Sequence, residues 1–151
     1  MIILKIEIRQ AEPSDAATLL SIYTPYVLNT AISFENTPPT LEEFKQRIIT
    51  ISKRYPYLVA VSSGQILGYA YASQFNGRAA YDFSAETSIY VKGDCRGLGI
   101  GSVLYKSLEA VLKKQNLHNL YACITYPNPG SIAFHEAFGY RKVAHYSKAG
   151  Y

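Results

Sequence analysis

Residues 95–114 read CRGLGIGSVLYKSLEAVLKK: an arginine, glycines at the alternate positions Gly97, Gly99 and Gly101, then a helical pattern with Leu104, Leu108, Val111 and Leu112 on one side. The strand-like ETSIYV stands just upstream. Glycine lets backbone take positive φ and come close to a ligand. The first turn of a helix offers free N–H groups and the positive end of its dipole. Strand, glycine turn and helix therefore predict an anion cradle in an α/β chain. Three phosphate-binding patterns compete for it. A Walker loop needs a Gly-Lys-Ser/Thr ending, which is absent. The dinucleotide fingerprint needs a third glycine where Ser102 stands, and an acidic residue after the next strand. LYACIT ends in Thr125 without one. The third pattern, R-x-x-G-x-G, is met by Arg96, Gly99 and Gly101, and suits a pyrophosphate held by backbone amides. A side chain at Gly99 or Gly101 is expected to intrude on that phosphate.

The remaining chain supplies the layers around this cradle. IILKIEIRQA alternates as a first strand. Ser14 is placed to cap a helix that buries Leu19, Leu20, Tyr23 and Val27, with Pro25 ending or kinking it. Thr40 and Glu43 form a capping box before the helix face Leu41, Phe44, Ile48 and Ile51. YLVAVSS and ILGYAYASQF flank a turn at Ser63–Gly64, a hairpin pattern. NGRAAYDFSA reads as a loop and LYACIT as a strand. Asn128, Pro129 and Gly139 mark the start and stop of a last helix, and YRKVAHY reads as a last strand. The order βααβββαβαβ predicts an α/β sandwich of mixed sheet and flanking helices, one domain over 1–151.

At 151 residues, 48% hydrophobic and 17% charged, the composition is that of one globular domain. The net charge of +4 comes without a Lys/Arg run longer than a pair. This offers no nucleic-acid surface but favours a small anionic ligand. Cys95 and Cys123 make no metal pair and no disulfide framework, so a reducing cytoplasm is expected. The first residues lack a signal-peptide layout, and no apolar run approaches the ~18 residues of a membrane span. Most of the 14 tyrosines are expected to pack half-buried with wet hydroxyls.

The cradle resembles the coenzyme A loop of the GNAT superfamily of N-acetyltransferases. AYDFSAETSIYV is similar to the A-Y-R-x-T-V-E-x-S-V-Y-V block of its phosphinothricin acetyltransferase-like subfamily. NPGSIAFHEAFGY resembles that subfamily's N-x-x-S-I-x-L-H-E-x-x-G-F block. YTPYVLNTAISFENTPPTLEEF resembles its Y-x-x-Y-V-x-x-T-x-x-S-F-E-x-x-P-x-T region. The blocks follow in order over nearly the whole chain.

The resemblance implies the GNAT fold, a central, mixed, mostly antiparallel twisted sheet flanked by helices, with the final family strand missing because the sequence stops at Tyr151. It implies an enzyme that moves an acetyl group from acetyl-CoA to the primary amine of a small molecule, an amino acid or a phosphinothricin- or methionine sulfoximine-like compound. No metal is implied. The pyrophosphate falls on Arg96, Gly97, Leu98, Gly99, Ile100, Gly101 and Ser102. The pantetheine arm falls along Ile89, Tyr90 and Val91, with the Val91 amide toward the thioester oxygen. Asn128 corresponds to a cofactor contact while also reading as a helix cap. Glu86 corresponds to the general base. His135 corresponds to the proton donor for the leaving thiolate, although a packed helix histidine fits equally; Tyr90 and Tyr81 are the second choices.

Phe34 and Glu35 fall on the acceptor side, together with Tyr81 and Arg78. Asp82 stands where the subfamily has an arginine suited to an amino-acid carboxylate; Arg78 is the nearby substitute. Two other readings stay open: a non-catalytic acyl-CoA-binding or sensor domain, and a protein or peptide N-acetyltransferase. The edge formed by YRKVAHY is expected to lie exposed and to draw a second copy, giving a homodimer.

Overall fold

Ser63 and Gly64 adopt φ of 50° and 76°, the two positive values that a tight hairpin turn requires. They join β2 (Tyr57–Ser62) to β3 (Gln65–Gln74). The structure, a computed structural model, describes residues 4–30, 32–33 and 35–145. β3 pairs antiparallel with β4 (Ser84–Val91), from Gly68 opposite Val91 to Gln74 opposite Ala85. On the far side of β2 lies β1 (Glu7–Gln10), also antiparallel. β5 (Asn119–Tyr121) runs parallel to β4. The sheet order is β1-β2-β3-β4-β5, mixed and mostly antiparallel as expected.

Side-chain alternation gives the sheet two different faces. Tyr69, Tyr71 and Ser73 of β3 stand opposite Tyr90, Ser88 and Glu86 of β4. This tyrosine-rich face packs under α1 (Ala16–Asn29) and α2 (Leu41–Ser52), burying Leu19, Ile22, Phe44 and Ile48. The opposite face carries Ala60, Ala70, Ala72 and Ala85, small enough for α3 (Ile100–Lys114) to lie close. Leu104, Leu108 and Leu112 of α3 are buried there, each contributing roughly 2 kcal/mol by area. α4 (Pro129–Ala137) adds Phe134 to the same core.

The capping box of α2 is present: Thr40 Oγ1 accepts the Glu43 N–H at 3.1 Å, and Glu43 Oε2 accepts that of Thr40 at 3.3 Å. α1 departs from expectation. Its approach is a short turn over Pro13–Asp15, and Asp15 rather than Ser14 precedes the first helical residue. The Asp15 carboxylate is held by Arg9 at 2.8 and 2.9 Å. Pro25 does not end the helix, which continues to Asn29. It lies on the exposed face, where water can serve the carbonyl that a proline leaves without a donor. Leu20 is half-buried on the flank of the core.

Among the described residues the strands fall short of what the sequence implies at three places. Of the described part of IILKIEIRQA, β1 keeps only Glu7–Gln10. β5 ends at Tyr121, well before Thr125, and residues 140–145 of YRKVAHY form no strand. A strand needs a neighbour's N–H and C=O groups in register, and beyond Tyr121 the chain has left the ladder. Tyr140 is instead tied to α4, its N–H donating to the His135 carbonyl at 3.0 Å. The expected exposed edge at YRKVAHY is therefore absent. The end of that segment and the chain beyond it lie outside the described residues.

Candidate functional site

β4 and β5 part company at Glu86 and Tyr121, the last residues in register, while β4 continues to Val91. The Lys92 N–H donates to the Leu67 carbonyl at 2.8 Å. By two-residue alternation, Ser88 and Tyr90 then turn their main-chain groups toward β3, and Thr87, Ile89 and Val91 turn theirs toward the gap. The Val91 carbonyl accepts the Tyr26 hydroxyl. This leaves the Ile89 N–H and C=O and the Val91 N–H to pair with an extended arm. Tyr90, expected in the same role, contributes its ring to the tyrosine face. A cavity of about 60 Å³ opens at the gap, with Thr87, Ile89, Cys123, Asn128 and His135 on its walls.

The glycine loop stands at the β4 end of this gap. Gly97 and Gly99 have φ of 79° and 81°, a left-handed conformation that favours glycine. Gly99 precedes α3 without a side-chain cap. The first helical bond runs from Val103 N–H to the Gly99 carbonyl at 3.2 Å, so the amides of Ile100, Gly101 and Ser102 have no helical acceptor. A Cβ on Gly97 or Gly99 would meet nothing within 4 Å. Open space before unpaired amides fits a pyrophosphate. Gly101 has another reason. A Cβ there would stand 3.1 Å from Phe134 Cε2, so this glycine seats α4 against α3 and its substitution would strike Phe134, not phosphate. Leu98 is exposed, and Arg96 lies over the Tyr26 ring at 5.0 Å, its guanidinium exposed.

Glu86 lies half-buried on the tyrosine face where the strands part. Burial pushes its carboxyl above the usual carboxylate value. Tyr23 and Tyr90 meet at 5.0 Å, Tyr69 and Tyr90 at 5.5 Å, and Tyr57 and Tyr71 stack at 4.6 Å. Burial raises the Tyr57, Tyr69, Tyr71 and Tyr90 phenols, and desolvation with the Glu35 hydrogen bond pushes Tyr23 to about 12. The wall is aromatic, neutral and able to hydrogen-bond.

His135 faces the other side of the sheet. Its Nδ1 is 2.7 Å from the Ser131 carbonyl and its Nε2 is 2.8 Å from the Tyr105 hydroxyl. Burial holds it below the usual histidine value. Thr87, next to Glu86 on β4, joins this cluster through Tyr140 at 2.9 Å and Tyr105 at 3.3 Å. Asn128 Oδ1 accepts the Ser131 N–H at 3.4 Å and so caps α4.

On the acceptor side, Glu35 Oε1 is held by Arg47 at 2.5 Å and Oε2 by the Tyr23 hydroxyl at 2.7 Å. Partial burial works to raise the Glu35 carboxyl, but these hydrogen bonds more than offset it and hold it low. Thr125 donates to the Ile32 carbonyl at 3.2 Å, which links this segment to the chain after β5. Phe34 lies outside the described residues. Arg78 and Tyr81 sit in the exposed loop between β3 and β4, Tyr81 edge-on to Phe75 at 5.8 Å. Asp82 faces away to Arg54 at 3.5 Å.

The gap thus gathers Glu86, Ile89, Val91, Asn128 and His135, with the glycine loop at its end. Thr87, Tyr105 and Arg47 are the residues that sequence reasoning missed. Arg47 left one trace, a cation flanking the apolar stripe of α2.

Residues 8–151 match the family described as the acetyltransferase (GNAT) domain. A phosphinothricin N-acetyltransferase of Streptomyces coelicolor is 37% identical over 97% of this chain and 88% of its own. An L-methionine sulfoximine/L-methionine sulfone acetyltransferase of Pseudomonas aeruginosa is 33% identical over 88% of this chain and 78% of its own. A crystal structure of a GNAT superfamily phosphinothricin acetyltransferase from Sinorhizobium meliloti, in complex with acetyl-CoA, superposes with a TM-score of 0.85 at 38% identity, over 91% of this chain and 75% of that one.

Proposed function

This chain belongs to the GNAT acetyltransferase family, and on that premise we propose that it acetylates the primary amine of an amino acid or a close analogue, with Glu86 receiving the ammonium proton. It is an acetyl-CoA-dependent N-acetyltransferase acting on small molecules. The observation that carries the acceptor-side reading is Glu86 itself: a carboxylate made more basic by burial, on the tyrosine face, at the point where β5 leaves β4.

Acetyl-CoA supplies an acetyl group activated as a thioester. The residues divide the remaining work between the two faces of the sheet. The amides of Ile100, Gly101 and Ser102, with Arg96, hold the pyrophosphate. Ile89 pairs with the pantetheine arm, and the Val91 N–H faces the thioester oxygen, where negative charge develops. Glu86 takes a proton from the amine, directly or through water. Tyr81 and Arg78 border the entrance. His135 acts as a positioning residue, since both of its nitrogens are already committed to protein groups. Asn128 shapes the turn beneath the arm.

The enzyme works in the cytoplasm as a homodimer in this reading. Two free cysteines suit a reducing compartment, and among the described residues no helix is long and apolar enough to cross a membrane. The outer edge of β5, beside Phe83 at 54% exposure, is the surface that supports pairing with a second copy. Light scattering at micromolar concentration should return twice the chain mass.

Release of free thiol from acetyl-CoA across a panel of amino acids, simple amines and peptides tests the acceptor. Amino acids should dominate. Equal or faster acetylation of peptides would overturn the small-amine reading.

A further inference from the structure

Arg47 projects from α2 with its side chain 43% exposed, and Glu35 holds its Nη2. A guanidinium carries five N–H donors in a planar fork. Among the described residues Arg47 has no other hydrogen-bond partner, so toward those residues its remaining donors are unused. The Glu35 contact does more than neutralise it. Glu35 is also fixed by Tyr23, which is buried, and the Tyr23 hydroxyl is 2.6 Å from Ser33 Oγ. The pair therefore has a set orientation, unlike a loose surface ion pair.

From this guanidinium a chain of side-chain contacts leads to the β4 face that carries Glu86. Glu35 joins Arg47 to Tyr23, the Tyr23 ring meets Tyr90 at 5.0 Å, and Tyr90 lies on the same β4 face as Ser88 and Glu86. The charge of Arg47 also acts on the phenols of Tyr57 and Tyr71, and that of Glu86 on Tyr71. Arg47 and Glu86 thus act on the same cluster of tyrosines, a cation from α2 and a carboxylate from β4. Arg54, just past the end of α2, is by contrast paired with Asp82.

We propose that Arg47, clamped along one edge by Glu35, binds an anionic group of the acceptor and so determines specificity for amines that also carry a carboxylate or phosphinate. This rests on the acceptor reading above. A planar fork fixed on one edge gives up little freedom when an anion docks on the other.

The test compares kcat/KM for matched amines with and without the anion: L-methionine sulfone against methylsulfonylpropylamine, and γ-aminobutyrate against butylamine. Wild type should favour the anionic member of at least one pair. Arg47→Met should lower that member by about 10- to 100-fold and change the neutral amine by no more than about twofold. Arg47→Lys should fall between, and Arg78→Met should leave the ratio unchanged. An equal loss on both members, or a preference that vanishes with Arg78 instead, would overturn the assignment. Where Arg47→Met fails to fold, the ratio in Arg47→Lys decides: preserved in full, it overturns the proposal; reduced, it supports it. Wild type that acetylates neither member of either pair would overturn the acceptor reading itself, a different outcome from an unchanged ratio.

Discussion

The Tyr105 hydroxyl donates to His135 Nε2 across 2.8 Å. The direction follows from the other ring nitrogen. Nδ1 lies 2.7 Å from the Ser131 carbonyl, which can only accept, so Nδ1 carries the proton of the neutral ring and Nε2 its lone pair. Neutral His135 therefore has no proton aimed into the gap. With 5% exposure it is expected to pack and orient its neighbours. His135→Ala should cost about 2–4 kcal/mol through the cavity and the lost hydrogen bond to Tyr105, a melting decrease of roughly 5–10 °C. Turnover of the folded fraction should change far less. A large fall in kcat at unchanged melting temperature would restore the proton-donor role.

The same burial sets a pH dependence. His135 titrates below its ordinary 6.5 in the folded state, so the unfolded chain binds the proton more readily. The stabilisation is complete above pH 6.5 and is lost as pH falls through the lower folded value. His135→Gln should flatten that acid limb in melting curves recorded from pH 7.5 downward, roughly the range that histidine governs.

Glu86 is expected to trade stability for activity. Its carboxyl is raised by burial, so it favours folding below the unfolded carboxylate value and loses that contribution as pH rises through the folded one. At neutral pH the buried charge is a net cost. Glu86→Gln should therefore melt slightly higher than wild type at pH 7 while turnover falls about a hundredfold or more. Acetyl-CoA affinity should be nearly unchanged, which calorimetry can check. An unaltered pH–rate profile would reduce the carboxylate to a structural group.

These residues differ in how visible they are from sequence. The Thr40–Glu43 box, the Ser63–Gly64 turn and the Asn128 cap are local devices, and their spacing alone specifies their geometry. The glycine cradle is equally local. Of the two expected effects of Pro25, ending the helix did not occur, because Pro25 lies on the exposed face of α1. The last strand misled because a strand exists only with a partner, and LYACIT stops pairing at Tyr121. Tyr105 with His135, Arg47 with Glu35 and Arg54 with Asp82 are set by tertiary packing. No spacing rule within one element reports them. The departure at Asp82 was legible, but its pairing with Arg54 was not.

Asn128 combines two roles that substitutions can separate. Its Oδ1 accepts the Ser131 N–H at 3.4 Å, and α4 carries His135 and Phe134 into the core. Asn128→Ala should cost about 1 kcal/mol of stability, while Asn128→Asp keeps the cap and should melt near wild type. If both raise the KM for acetyl-CoA, the amide itself contacts the arm. If only the alanine variant does, the cap is the whole of its contribution.

Gly99 and Gly101 are two residues apart in the same loop, yet their substitutions should fail differently. Gly99 is left-handed at φ 81°, and a Cβ added there would have no atom within 4 Å. Gly99→Ala should then strain the backbone by about 1–2 kcal/mol and turn the α3 amides away from the pyrophosphate. Acetyl-CoA affinity should fall roughly tenfold or more, with a modest loss of melting temperature. Gly101 has ordinary φ, and its added Cβ would stand 3.1 Å from the Phe134 ring. Gly101→Val should push α4 off α3 and cost about 1–3 kcal/mol as overpacking. Its melting temperature should drop further than that of Gly99→Ala, and its acetyl-CoA affinity, measured by calorimetry on the folded protein, should drop less. The reverse ranking would mean that a side chain at Gly101 meets the pyrophosphate and not Phe134, and that the left-handed turn at Gly99 does not aim the α3 amides.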